Sequence, residues 1–150
     1  MSKYLTALLL LLVFGLQFAH AQRQKAWLKA ADSAYVQQDY YAAFKYYEIA
    51  LEYDSTKGDL WFKYANAARQ FNAFPYAERG YQRELEKENT PYRAEATYWL
   101  AFVKQRQGKY REAAALYNTF LEEYAAAWPE QEPSARRLLA DSRWAAERVA

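Results

Sequence analysis

The chain has no cysteine, one histidine and one methionine. Without thiols there is no disulfide, no thiolate nucleophile and no cysteine-ligated metal. Glycine and proline occur four times each, too rarely for the tight turns of an all-β protein. Neither sign of charge dominates: 20 Lys and Arg stand against 18 Asp and Glu, a net charge of +2. That balance argues against nucleic-acid binding driven by phosphate neutralisation. What the 150 residues do hold is apolar and aromatic side chains, 53% and 19% of the total. This is the composition of a globular domain, long enough to bury roughly two-thirds of its unfolded surface.

The N-terminus has a different character. Lys3 precedes an apolar run from Leu5 to Phe18, interrupted by Thr6, Gly15 and Gln17, and Ala19-His20-Ala21 follows. A positive start, an apolar middle and small residues before a cut form the pattern of a secretory signal peptide. The run is short for a membrane span, which needs about 20 apolar residues. The sequence therefore predicts a signal peptide at 1–21, export to the periplasm, and a mature chain 22–150 with no membrane span of its own. His20 and Met1 are lost with the leader. The mature chain then lacks His and Cys, which excludes a Ser-His-Asp triad, a Cys-His pair and His-ligated zinc. No metal and no cofactor is expected, and only carboxylate, Tyr, Lys or Ser chemistry remains open.

The rest of the chain repeats. A shift of 34 brings Trp27 onto Trp61, Ala31 onto Ala65, Ala43 onto Ala77, Tyr47 onto Tyr81 and Leu51 onto Leu85. A further shift of 36 brings Ala65 onto Ala101, Ala77 onto Ala113, Tyr81 onto Tyr117 and Leu85 onto Leu121. Within each unit the apolar residues recur every three or four positions, break at a polar turn, and resume; this spacing predicts two helices per unit. Three hairpins are expected, at about 24–57, 58–91 and 92–126, and a further helix at about 134–149. Alanines at Ala31, Ala43, Ala65, Ala77, Ala101 and Ala113 let helix backbones approach closely. A lone hairpin cannot bury its apolar face, so the units must stack.

The 34-residue period, Trp27 and Ala31, Asp39-Tyr40 before the second helix, Ala43, Tyr47 and the closing Ala50-Leu51-Glu52-Tyr53-Asp54 together resemble the tetratricopeptide repeat. The resemblance covers about Gln22 to Tyr124 and implies an all-α, right-handed α-solenoid with the last helix as a solvating cap. Ser55 departs from the family's usual Pro. Glu84 and Phe120 depart from the small residue held by Ala50, and Thr97 from the Trp. The signal peptide, the run Asp39-Tyr40-Tyr41-Ala42-Ala43-Phe44-Lys45-Tyr46-Tyr47 and the stretch Ala96-Thr97-Tyr98-Trp99-Leu100-Ala101 also resemble the N-terminal repeats of outer-membrane-protein-A-family envelope proteins linked to type IX secretion and gliding. That resemblance implies attachment to an envelope complex through partners. It carries over no peptidoglycan-binding domain.

In tetratricopeptide repeats the first helix of each hairpin lines a concave face. The resemblance places Leu28, Asp32 and Tyr35, then Phe62, Asn66 and Arg69, then Tyr98, Phe102 and Arg106 along it. Aromatics with a few polar anchors are the composition of binding hot spots, suited to an extended peptide or a partner helix. The competing reading is that Phe62, Tyr98 and Phe102 pack between hairpins. Leu28 and Asp32 stand where a carboxylate-clamp repeat would place its basic and Asn residues, which disfavours chaperone-tail recognition. Glu84, Glu86 and Glu88 beside Arg83 and Lys87 read as surface ion pairs, and Arg136-Arg137 with Arg143 and Arg148 as a solvated basic stripe. The expected function is a non-catalytic, exported scaffold for a protein partner. The alternatives are a carboxylate-dependent enzyme acting on cell-wall glycans, for which Asp32, Asp59 and Glu95 are the acids considered, and a passive spacer within a larger envelope protein.

Overall fold

A computed structural model describes residues 21–56 and 58–149. The predicted signal peptide lies outside them, save Ala21. Among the described residues every regular element is a helix and none is a strand. No described helix is long and apolar enough to cross a membrane. The described residues fall into two compact units, one before residue 57 and one from Gly58 onward.

The first unit is one hairpin. Residues 21–36 are helical (α1) and Tyr40–Tyr53 form α2. Asp39 starts α2: its Oδ1 accepts the Ala42 backbone N–H at 3.0 Å, which satisfies a donor that the helix itself cannot. Small residues set the packing distance. Ala31, Ala43 and Ala50 have no exposed surface, so the two backbones lie close and Tyr47 and Phe44 fill the remaining space. Gln24, also buried, ties the start of α1 to the end of α2 by donating to the carbonyls of Ala50 at 3.1 Å and Asp54 at 2.9 Å.

The second unit runs α3 (Leu60–Gln70), α4 (Phe74–Leu85), α5 (Arg93–Arg106), α6 (Tyr110–Thr119) and α7 (Glu132–Ala146). Each helix packs on the next. A π turn at Phe120–Tyr124 and two short 3-10 segments, Ala125–Ala127 and Pro129–Gln131, carry the chain from α6 to α7. α7 begins at Glu132, slightly ahead of the expected 134, because Pro133 fits the first helical turn, where its missing N–H costs nothing. α7 buries Ala135, Leu139 and Ser142. Trp144 on α7 and Val149 just beyond it are 61% and 70% exposed.

The three hairpin turns share one geometry. Gln38, Asn72 and Gly108 occupy equivalent positions and all have positive φ, at 63°, 63° and 74°. The residue after each bonds back across the helix end: Asp39 N–H to Ala34 O, Ala73 N–H to Ala68 O and Lys109 N–H to Lys104 O, at 3.0, 2.8 and 2.9 Å. This is the six-to-one closure of a left-handed C-cap. The period of 34 then 36 read from the sequence thus reappears as a repeated backbone bond.

Two features of the second unit hold neighbouring helices at fixed distances. At Gly80 a Cβ would sit 2.8 Å from Ala65 Cβ and 2.9 Å from Tyr64 Cδ1, so α3 and α4 meet where only glycine fits. Between α4, α5 and the turn after α5, Glu78 accepts from Lys104 at 2.6 Å, Lys109 at 2.7 Å and Gln107 at 2.6 Å. Lys104 also reaches Glu112 at 2.6 Å. Burial pushes the Glu78 carboxyl up, but the hydrogen bonds from Lys104, Lys109 and Gln107 and the charge of Lys104 outweigh it and hold the group at about 2. Burial lowers the Lys104 ammonium, and its two carboxylate partners reverse this and raise it.

Glu84 corrects one expectation. It is buried, not part of a surface pair, and takes the place held by Ala50 in the first hairpin. Lys87 Nζ at 2.6 Å and the Thr90 hydroxyl at 2.5 Å satisfy its carboxylate. Arg83 and Glu86, at 2.9 Å, do form an exposed pair.

Candidate functional site: the first-helix strip

In the first unit the strip residues Leu28, Asp32 and Tyr35 are all half-buried. Asp32 Oδ1 accepts the Tyr47 hydroxyl at 2.6 Å, so this carboxylate holds α1 to α2. Tyr35 sets its ring edge-on to Tyr40, 5.4 Å between centroids.

In the second unit the strip splits into buried and accessible members. Phe62 is 7% exposed. It stacks on Tyr92 at 4.2 Å and meets Tyr81 edge-on at 6.1 Å. Tyr98 is 4% exposed and sits inside a ring of Trp99, Tyr117, Phe120 and Trp128, with centroids 4.9 to 5.8 Å away. Burial pushes its hydroxyl above the usual tyrosine range. Both residues are therefore core, and the expectation of exposed aromatic anchors at these two positions is corrected. The physical reason lies in their neighbours. Ala101, Ala113, Ala125 and Ala135 belong to the same buried cluster as Tyr98, and their small side chains leave room for its ring.

Asn66, Arg69 and Phe102 are half-buried and Arg106 is exposed. Asn66 Oδ1 accepts the Tyr81 hydroxyl at 2.7 Å, and that hydroxyl accepts Arg69 Nε–H at 3.0 Å. The Arg69 guanidinium lies over the Trp99 ring, 3.7 Å from its centroid. Trp99 in turn meets Phe102 edge-on at 5.8 Å. Arg106 stands apart over Phe74 at 5.7 Å. The shift of 36 aligns Gln105, not Arg106, with Arg69. Gln105 is half-buried and donates to the Leu138 carbonyl at 3.4 Å.

The structure thus brings Asn66, Arg69 and Phe102 together and adds three residues that sequence reasoning missed: Tyr81, Trp99 and Tyr117. Tyr81 and Tyr117 were legible as repeat positions, but their hydroxyls gave no signal. Trp99 stands two residues from the position of Trp27 and Trp61, which hid its role beside the strip. Among the described residues no group of three His, Cys, Asp or Glu could hold a metal. Of the acids considered for an enzyme, Glu95 has its carboxyl raised by burial, and Asp32 is engaged by Tyr47.

Paired antiparallel helices, a 34-residue register and a repeated C-cap define a helical repeat protein. The fold is that of tetratricopeptide-repeat domains. The chain is similar to the Arabidopsis OM64 TPR domain, with a TM-score of 0.64 and 15% identity over 83% of this chain and 97% of that one. It is also similar to the TPR2B domain of yeast Sti1, solved in a complex with pHsp70, with a TM-score of 0.67 and 14% identity over 82% and 98% of the two chains. No protein-family model matches the sequence, and no curated protein matches it.

Proposed function

We propose that the chain is a non-catalytic scaffold that holds a protein partner, as a peptide or a helix, on the first-helix strip. The observation that carries this reading is the Arg69–Trp99–Phe102 cluster of the second unit. An arginine stacked on an indole beside a half-buried phenylalanine joins residue types enriched at interface cores. Nothing in the strip converges as a nucleophile and base would. The likeness to TPR2B supports the reading at the level of fold, since that domain was solved with a bound protein partner. In the first unit, taken by itself, Leu28, Asp32 and Tyr35 are the proposed partner contacts.

The setting we propose is the periplasm, reached by the signal peptide at 1–21, with attachment to a secretion- or gliding-type envelope complex through the bound partner. The apolar run after Lys3 and the Ala19-His20-Ala21 site support export. The test is affinity capture with crosslinking from intact cells, using the wild-type chain and Trp99→Ala. The reading expects an envelope protein held by wild type and lost from Trp99→Ala at equal folded yield. Equal capture by both chains would refute it.

A further inference from the structure

The three hairpins build the same hydroxyl position and finish it differently. In the first, Tyr47 donates to Asp32 at 2.6 Å; in the second, Tyr81 donates to Asn66 at 2.7 Å. The third hairpin puts Phe102 where the acceptor should be and Gln105 where Arg69 should be. Phe102 has nothing to offer, and Gln105 has turned to Leu138. Tyr117 is left with no exposed surface and a hydroxyl without a partner. Its ring has not moved to compensate. The Tyr98–Tyr117 pair, at 5.8 Å and 70°, reproduces the Phe62–Tyr81 pair at 6.1 Å and 62°. The register therefore aims the orphaned hydroxyl at the side of Phe102.

A second donor lies on the same patch. Arg69 has its Nε taken by Tyr81 and its face covered by Trp99. Neither Nη group meets an acceptor among the described residues. The guanidinium is thus held rigidly with its two-pronged edge unused, the edge that matches a carboxylate. A buried polar group without a partner is rare enough in native proteins to need a reason. The buried Tyr117 hydroxyl and the unused edge of the half-buried Arg69, both beside Trp99 and Phe102, match an acceptor-rich ligand.

Resting on the reading above that the strip binds a peptide, we infer that its occupant is an acidic segment. The side-chain carboxylate of an internal Asp or Glu takes the Nη edge of Arg69. Flanking apolar side chains lie on Trp99 and Phe102, and a backbone carbonyl accepts the Tyr117 hydroxyl as Phe102 rotates aside. Two donor points along one strand favour an internal acid, since the backbone continues past it to the second point.

The experiment is selection of displayed random twelve-residue peptides, blocked at both ends, against residues 22–150. A parallel selection uses Arg69→Gln. The inference expects wild type to enrich Asp or Glu over Asn and Gln at one position, and Arg69→Gln to lose that enrichment. A wild-type-selected peptide should bind Arg69→Gln about ten- to a hundredfold more weakly, as for a lost charge-assisted pair. Phe102→Asn should satisfy Tyr117 from within the chain, raising the melting temperature while weakening the same peptide. Thermal melts of both variants separate lost binding from lost fold. If wild type selects no peptide at all, the strip is not a peptide site and the reading it rests on fails. If peptides emerge without acid enrichment, or bind Arg69→Gln equally well, the strip binds peptides and the acidic occupant is wrong. Enrichment only of peptides with a free C-terminal carboxylate, in an unblocked library, would also overturn the internal acid.

Discussion

Replacing Glu78 by Gln tests how the second unit is held together. The carboxylate is 13% exposed and joins α4 to Lys104 of α5 and to Lys109 in the turn beyond. Its titration is moved from 4.5 to about 2. At about 1.4 kcal/mol per unit, the charged form contributes about 3 kcal/mol to the fold. Gln keeps the shape and part of the hydrogen bonding, and Lys104 keeps Glu112. The expected loss at pH 7 is therefore about 2–3 kcal/mol, below the 3–5 kcal/mol of a buried charge left fully alone. For a unit of this size that is a fall in melting temperature of roughly 10–20 °C. The pH dependence carries the sharper test. A carboxyl whose titration is depressed on folding stabilises fully above its unfolded value of 4.5, and that contribution fades as pH falls toward 2. Lys104 is raised by the same carboxylates, so this pairing is also lost at high pH, as the ammonium titrates above 10.5. Urea unfolding followed by tryptophan fluorescence should show wild type and Glu78→Gln well separated at pH 7, converging between pH 4.5 and 2. A gap under 0.5 kcal/mol at pH 7, or one unchanged down to pH 2, would refute the reasoning.

Gly80→Ala should destabilise by about 1–2 kcal/mol despite alanine's better helix propensity, because its Cβ would press on Ala65 and Tyr64; a calorimetric melt at or above wild type would contradict the close approach. Gln38→Gly should stabilise the first hairpin by about 1 kcal/mol, since glycine accepts a φ of 63° without a steric penalty; chemical denaturation checks the sign. Tyr81→Phe breaks the link to Asn66 and Arg69 and should cost about 1–2 kcal/mol, whereas Tyr117→Phe removes an unsatisfied hydroxyl and should be neutral or stabilising. Equal losses in the two would mean that Tyr117 has a partner after all.

The helical fold was legible because the repeat is written twice over, in residue spacing and in residue size. Ala31, Ala65 and Ala101 have no exposed surface, as their shared place in the register implies. The strip was harder to read. Period alone cannot tell a groove residue from a core residue when a helix has neighbours on both sides, so Phe62 and Tyr98 read like Phe102 yet lie inside. Their fate was decided by Tyr92 and Trp128, partners in loops that no periodicity locates. Charges were misread for the same reason. Glu84 sits among surface residues in sequence but replaces a buried Ala50, and the Glu78–Lys104 pair, 26 positions apart, left no local signal. The absent hydroxyl partner at Phe102 was visible only once Tyr47 and Tyr81 showed what the position normally holds.

Position-resolved crosslinking addresses the central claim, that function lies on the first-helix strip. A photo-crosslinking amino acid is placed in live cells at Phe102, on the strip, and separately at Trp144, which is 61% exposed on α7. Adducts are identified by mass spectrometry. The account predicts a discrete protein adduct from position 102 and none of that identity from position 144. The same adduct from 144 with nothing from 102 would contradict it.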